Sequence, residues 1–372
     1  MIEDALQLAA QGRTLSPPNP SVGCIIATAD GTVLGQGHTQ QAGGPHGEVM
    51  ALRDAAARGH SVVGATAYVT LEPCSHHGRT GPCCDALVAA GIGKVVAAMA
   101  DPNPLVAGQG FARLRAAGVE VEVLAPTDPQ ALAARALNIG FFSRMVRKTP
   151  WVRMKVAASL DGKTALPNGV SQWITSPAAR ADGHAWRARA SAVLTGIGTV
   201  LQDQPRLDVR LVPTPRQPHV VVVDSGLQTP PNASLFIAGR AVYIYAAAQN
   251  AEKQRALEAA GATVIYCPGH HADGTPTGKV DLAALLRDLG QREINEVHVE
   301  AGHKLNGSLV REGLVDEFLV YLAPLLMGQG SGMADFGPLT ELSGATALQF
   351  TSIEQVGPDL RVLAQVQGRD QF

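Results

Sequence analysis

The 372-residue chain is poor in aromatic side chains, which make up 4% of it, and it has no surplus of positive charge, with 30 Lys and Arg against 32 Asp and Glu. A nucleic-acid binder needs a basic face to neutralise phosphates and, for unpaired strands, rings on which bases stack. Both shortages argue against a nucleic-acid partner. Long apolar runs are missing too: none reaches membrane-spanning length, and the start at Met1 to Asp4 lacks the basic region of a signal peptide. Cysteine is scarce. The five thiols, Cys24, Cys74, Cys83, Cys84 and Cys267, are odd in number and lack the spacing of a disulfide framework, which points to a reducing compartment. These absences predict a soluble, cytoplasmic protein with no membrane partner.

What is present is an ordinary globular composition, 46% hydrophobic and 17% charged, in a chain long enough for two domains. Within it stand two informative segments. In PHGEVMALRDAAARG, His46 precedes Glu48 by two residues; in LEPCSHHGRTGPC, Cys74 follows a proline and Cys83 closes the segment. A His-x-Glu followed by Pro-Cys and a second Cys outlines a zinc-dependent deaminase. One imidazole and two thiolates give zinc three ligands and leave a fourth position for water. Glu48 is then the carboxylate that moves protons. The apolar spacing of Val49, Leu52, Ala55 and Ala56 predicts a helix that His46 and Glu48 open, and residues 83–90 read as a second helix. A cysteine at a helix start faces the positive end of the dipole, which favours its thiolate. His76, His77 and Cys84 are rival ligands. A helix turns Cys84 about 100° away from Cys83, and the two histidines fall in a Gly-rich loop.

Two α/β rhythms follow one another. The first predicts strands near 22–28, 33–37, 67–71, 94–100 and 119–124, with helices near 46–58, 83–90, 111–117 and 129–144, consistent with a three-layer sandwich. The basic stretch 144–148 and Thr149-Pro150 interrupt it, so the boundary is placed near 146, giving domains 1–146 and 147–372. The second predicts strands near 151–159, 192–195, 220–224, 241–246, 263–267, 296–300 and 317–322, and a last pair within 347–366. Glycine-rich turns at 195–200 and 300–308 each follow a strand and precede a helix, where backbone N–H groups can cradle phosphate. Neither is a dinucleotide fingerprint, because Leu201 stands where the third glycine would be.

Nearly the whole chain resembles the bacterial bifunctional riboflavin-biosynthesis deaminase–reductase family. The motifs are Asn19 to Gly23, His46-x-Glu48, Pro73-Cys74 through Gly78-Arg-Thr to Cys83, Asp101 to Pro104 and Gly108-x-Gly110. Lys155 to Lys163, Ser171 to Ser176, Gly198 to Asp203, Leu207-x-Val-Arg210 and Glu300 with Gly302 to Ser308 follow in the second half. The long interval between Cys74 and Cys83 is normal in that family, whereas Gly47 replaces the more usual Ala.

The resemblance implies a cytidine-deaminase-like three-layer α/β/α sandwich followed by a dihydrofolate-reductase-like α/β domain. It implies one zinc per chain, on His46, Cys74 and Cys83, with Glu48 catalytic, and deamination of 2,5-diamino-6-ribosylamino-4(3H)-pyrimidinone 5′-phosphate. NADPH would then reduce the ribosyl group to ribityl. It carries substrate contacts onto Ser171, Arg187, Leu207, Arg210 and Glu300. NADPH contacts fall on Ala157, Trp173, Thr199, Asp203, Ser225, Gly302, His303, Lys304, Leu305, Asn306, Gly307 and Ser308. A homo-oligomer is compatible with all of this. Two other readings are a tRNA or nucleobase deaminase with a non-catalytic C-terminal binding module, which the charge balance disfavours, and a chain in which one half only binds.

Overall fold

The computed structural model describes residues 1–76, 81–104 and 106–372, so His77 and the Gly78-Arg-Thr motif lie outside the described residues. The chain divides into two compact units, Met1–Lys148 and Thr149–Phe372.

In the first unit, α1 (Ile2–Gly12) is followed by β1 (Gly23–Ala27), β2 (Val33–His38), α2 (Gly47–Ala57) and β3 (Thr66–Val69). Then come α3 (Cys83–Ala89), β4 (Lys94–Ala97), α4 (Gln109–Ala116), β5 (Glu120–Val123), α5 (Pro129–Leu137) and α6 (Ile139–Arg147). The sheet order is β2-β1-β3-β4-β5; β1 pairs antiparallel with β2 and β3, while β3, β4 and β5 run parallel. Alternate residues of a strand face opposite sides. Ala67, Val69, Val95 and Ala97 therefore pack with Ala51, Ala55, Leu87 and Leu114 of α2, α3 and α4. Val96 and Ala98 turn to Ile2 and Ala134 on the other side. That is a three-layer sandwich.

Two sequence expectations change here. The segment before residue 22 forms α1, which the strand–helix rhythm did not reveal; it lies so close to the sheet that a Cβ on Gly23 would fall 1.8 Å from the carbonyl oxygen of Ala5. The single helix expected over 129–144 is two helices, broken at Asn138. Its side chain leaves the helix to bond the backbone of Ser21, accepting from N at 2.7 Å and donating to O at 3.0 Å. Asn competes with helical backbone bonding through such local alternatives.

The second unit contains β6 (Trp151–Ser159), α7 (Pro177–Arg189), β7 (Ala192–Gly196), α8 (Ile197–Asp203), β8 (His219–Val223), β9 (Val242–Ala246), α9 (Ala251–Ala259) and β10 (Ala262–Tyr266). They precede β11 (Pro268–His270), β12 (Pro276–Val280), α10 (Leu282–Gln291), β13 (Glu296–Val299), α11 (His303–Arg311), β14 (Glu317–Ala323), β15 (Leu348–Val356) and β16 (Asp359–Val366). Nine strands form one sheet, β10-β9-β8-β7-β13-β6-β14-β16-β15, parallel as far as β14 and antiparallel beyond it. The small β11–β12 hairpin was not legible in the sequence.

Central parallel strands are usually apolar on both faces. Here one face is: Val152, Met154, Val156, Leu194, Val297 and Val299 join the main core. The opposite face, under α7, carries Arg153 and Lys155 on β6, His298 on β13 and Glu317 and Tyr321 on β14, with Arg153 in register with both His298 and Glu317. Arg153 is 1% exposed. It donates through Nη1 to Glu296 at 2.8 Å and through Nε to Glu317, and its guanidinium lies 4.7 Å from the Trp186 ring centre. Removing one partner of a buried ion network leaves uncompensated charge, at a cost of about 3–5 kcal/mol. Arg153→Leu is therefore expected to destabilise the second unit by about that amount. All three tryptophans, Trp151, Trp173 and Trp186, lie in this unit, so urea unfolding followed by tryptophan fluorescence reads it; a midpoint unchanged from wild type would refute the assignment.

Candidate functional site

In the first unit, three segments converge beyond the ends of the central strands. His46 is the N-cap of α2, Cys83 is the first residue of α3, and Cys74 follows β3 by five residues. His46 Nδ1 stands 3.6 Å from Cys74 Sγ and 3.4 Å from Cys83 Sγ, and the three donor atoms lie within 4.8 Å of one another. Zn–S bonds of about 2.3 Å and Zn–N bonds of about 2.0–2.1 Å at tetrahedral angles put N and S about 3.6 Å apart. The donor set therefore fits zinc in chemistry and spacing. Cys74 Sγ also accepts the backbone N–H of Cys83 at 3.3 Å. Hydrogen bonds from Cys83 and His46 hold its thiol down to about 4 despite burial, and the same thiolate pushes Cys83 up. The hydrogen bond to Cys74 raises His46.

Two of the rivals, Cys84 and His76, are not part of this cluster, and the third, His77, lies outside the described residues. Cys84 is fully buried and turns its thiol to Asp85, 3.8 Å away, and His76 is exposed. Glu48 is 3% exposed, and its Oε2 is buried with no hydrogen-bond partner among the described residues. Burial, helped by the Cys74 thiolate, lifts its carboxyl to about 7, the range of a proton shuttle. Gly47 also has a positional reason: a Cβ there would lie 2.6 Å from the carbonyl oxygen of Val22 on the neighbouring segment.

Sequence reasoning missed Glu72. Its buried carboxylate accepts N–H bonds from Asp101 (3.2 Å), Gly108 (2.9 Å), Gly110 (2.9 Å) and Phe111 (3.3 Å), tying the start of α4 to the strand end that carries Cys74. Its only signal was a place in the Glu-Pro-Cys run.

The second unit has a cleft of about 880 Å³. Eleven of the residues singled out in this half line it: Ala157, Ser171, Trp173, Arg187, Thr199, Asp203, Arg210, Glu300, Gly302, His303 and Asn306. Six do not. Leu207 packs its side chain into a core cluster and gives its carbonyl to Arg240 at 2.7 Å. The Ser225 carbonyl is taken by the backbone of Ala247 and Ala248. On α11 only one helical face meets the cleft: Leu305 packs on the core, Lys304 is exposed, the Ser308 hydroxyl bonds back to the Lys304 carbonyl, and a Cβ on Gly307 would lie 1.8 Å from the Asp335 carbonyl oxygen.

Arg187 and Glu300, both expected on substrate, hold one another. Arg187 donates Nε to Oε1 at 2.6 Å and Nη2 to Oε2 at 2.8 Å, and its Nη1 bonds the Asp208 carbonyl. That pairing holds the Glu300 carboxyl far below the usual range against its burial. Arg210 is freer: its side chain is 49% exposed, with one bond, Nη1 to Asp208 at 2.6 Å. The fork of Arg187 is spoken for, whereas Arg210 brings a half-exposed guanidinium to the cleft. Lys155, Arg180, His184 and Tyr321 also line the cleft. Buried Asn306 donates Nδ2 to the Met333 carbonyl at 3.0 Å but leaves Oδ1 without a partner among the described residues, in the first turn of α11, where a cofactor's amide or hydroxyl donor would satisfy it.

Comparison with known proteins bears on both units. Residues 1–99 match the cytidine and deoxycytidylate deaminase zinc-binding region, and residues 150–362 match the RibD C-terminal domain. The riboflavin biosynthesis protein RibD of Escherichia coli K12 is 45% identical over 370 residues, 96% of each chain, and that of Aquifex aeolicus is 38% identical over 356 residues, 96% of this chain and 95% of its own. Acinetobacter baumannii RibD superposes with a TM-score of 0.86 at 38% identity over 98% of both chains. A Thermotoga maritima diaminohydroxyphosphoribosylaminopyrimidine deaminase/5-amino-6-(5-phosphoribosylamino)uracil reductase gives 0.81 at 30% identity, over 98% of this chain and 97% of its own. With a deaminase zinc-binding region in one unit, a RibD reductase domain in the other and full-length relatives that carry both, the chain belongs to the RibD family of bifunctional riboflavin-biosynthesis deaminase–reductases.

Proposed function

We propose that the first unit hydrolytically deaminates 2,5-diamino-6-ribosylamino-4(3H)-pyrimidinone 5′-phosphate with zinc on His46, Cys74 and Cys83, and that the second reduces the ribosyl group of the product to ribityl with NADPH. The observation that carries the reading is the convergence of one imidazole and two sulfur atoms beside a buried carboxylate oxygen that has no partner among the described residues. A zinc ion held there would supply, at its open fourth position, a water whose pKa is near neutral. Glu48 takes one proton of the attacking water at Oε2 and passes it to the ring nitrogen, then carries the second from the new hydroxyl to the amino group, which leaves as ammonia as the carbonyl forms. Its burial keeps bulk water from competing for that proton.

NADPH, when bound, supplies the hydride. The chain's own residues bind and align. Arg210 grips the 5′-phosphate, and Glu300, kept ionised by Arg187, accepts a hydrogen bond from the substrate beside Ser171. Ala157, Trp173, Thr199, Asp203, Gly302, His303 and Asn306 line the remaining wall for the cofactor.

About one zinc per chain is expected by metal analysis of purified protein. Cys74→Ser or Cys83→Ser should remove most of it, while Cys84→Ser should retain it; zinc lost with Cys84 and kept without Cys83 would overturn the ligand set. Glu48→Gln should keep zinc and lose deamination by about 10²–10⁴-fold, because an amide cannot accept the proton. In that variant the NADPH-dependent step on already deaminated substrate should run at the wild-type rate, and substantial ammonia release would rule out the role of Glu48.

Arg210→Ala is expected to raise KM for the phosphorylated reductase substrate by roughly 10–100-fold, with kcat and deamination little changed, since charge-assisted bonds to a phosphate persist from ground to transition state. Arg210→Lys should recover only part of this, a point charge being a poor copy of a planar fork. Unaltered reductase kinetics in the alanine variant would remove Arg210 from the site.

A further inference from the structure

His298 lies in the middle of β13 between Val297 and Val299, is fully buried, and makes no hydrogen bond through either ring nitrogen among the described residues. A neutral imidazole always carries one N–H, and leaving it unpaired away from water is unfavourable. An apolar residue like its strand neighbours would avoid that cost. The polar atom placed to receive the proton is Glu300 Oε1, 3.5 Å from His298 Nε2. At that separation the pair makes no hydrogen bond, yet a shift of a few tenths of an ångström would close one.

The setting keeps the ring neutral. Glu300 faces it from the same chain segment, Arg153 and Lys155 from β6, and Arg187 from α7. Burial and these three cations hold His298 down to about 3, so it meets Glu300 as an N–H donor and not as a cation. Glu300 is meanwhile faced by Arg187 and His184 on α7, Lys155 on β6 and Tyr321 on β14. With Arg187 Nε already on Oε1, a second donor from behind would fix the carboxylate against the pull of anything that binds in front of it.

We propose that His298 is a positioning residue of the reductase, donating Nε2–H to Glu300 Oε1 when the cleft is filled and so holding Glu300 in place for substrate. The proposal rests on the reading of Glu300 as a substrate contact. Without that donor the carboxylate is held by Arg187 alone and its alignment toward the cleft loosens, which weakens substrate binding more than it slows the hydride step.

The test uses the full-length protein with NADPH and 5-amino-6-(5-phosphoribosylamino)uracil. His298→Leu should raise KM about tenfold with kcat little changed, as expected for a lost bond to a charged group that positions the substrate. Deamination should be unchanged. His298→Gln, which keeps an N–H donor, should recover most of the loss. Glu300→Gln should itself weaken the reductase, and His298→Leu should then add nothing further in that background. If Glu300→Gln leaves reduction untouched, the reading of Glu300 fails and the proposal with it. If Glu300→Gln is harmful but His298→Leu is silent, or its effect multiplies in the double variant, the positioning role alone fails. Should His298→Leu not fold, ¹⁵N NMR of the wild-type histidines, with the ring assigned against His298→Gln, decides the matter: an Nε2–H tautomer supports the proposal and an Nδ1–H tautomer overturns it.

Discussion

Charge buried on the α7 side of the second sheet has to be matched group by group, and the reductase half is arranged around that constraint. Arg153 is closed on both sides by Glu296 and Glu317. Farther along the same face Arg187 closes Glu300, and Asp182 receives both the Tyr321 hydroxyl at 2.6 Å and Arg361. The seam thus runs from an ion network sealed inside the fold to carboxylate, amine and phenol groups that border the cleft. Ionised groups can be presented to a ligand in a dry wall only because the protein has already neutralised their neighbours. The opposite face of the same strands does the ordinary work of an apolar core.

The first unit solves a related problem with fewer residues. Its donor atoms sit on two helix starts and a strand end, three places where backbone N–H groups are unpaired or strands terminate. Cys74 takes one such N–H from Cys83, and Glu72 takes four from the segment that leads into α4. The sandwich thereby spends its unpaired backbone donors on the sulfur and carboxylate groups that frame the site.

Much of this was legible in the sequence because chemistry at the first site is local. His46-x-Glu48 and Pro73-Cys74 are short, and the order of strand, cysteine and helix follows from apolar spacing. The strands of the second half were also readable, since runs such as His219–Val223 announce themselves. What stayed hidden depends on distant pairing. No pattern in the chain says that Arg187 and Glu300, 113 residues apart, bind each other, that Asn138 leaves its helix for Ser21, or that His298 lies behind the cleft. The segment 302–308 reads as one binding loop, but coiling into α11 points Gly302, His303 and Asn306 toward the cleft and turns Leu305 into the core and Gly307 against the Asp335 backbone.

Gly47 shows how a family's preferred residue can be wrong for one member. Alanine is more usual between the histidine and the glutamate, and it is the better helix former, so consensus engineering would install it. In this chain the backbone of Val22 already fills the space a methyl group needs. The substitution would lever the start of α2 away from the sheet and carry His46 and Glu48 with it, exchanging a small gain in helix propensity for a metal ligand and a proton carrier out of register. Sequence averages are safe to import only where the neighbouring backbone has been imported as well.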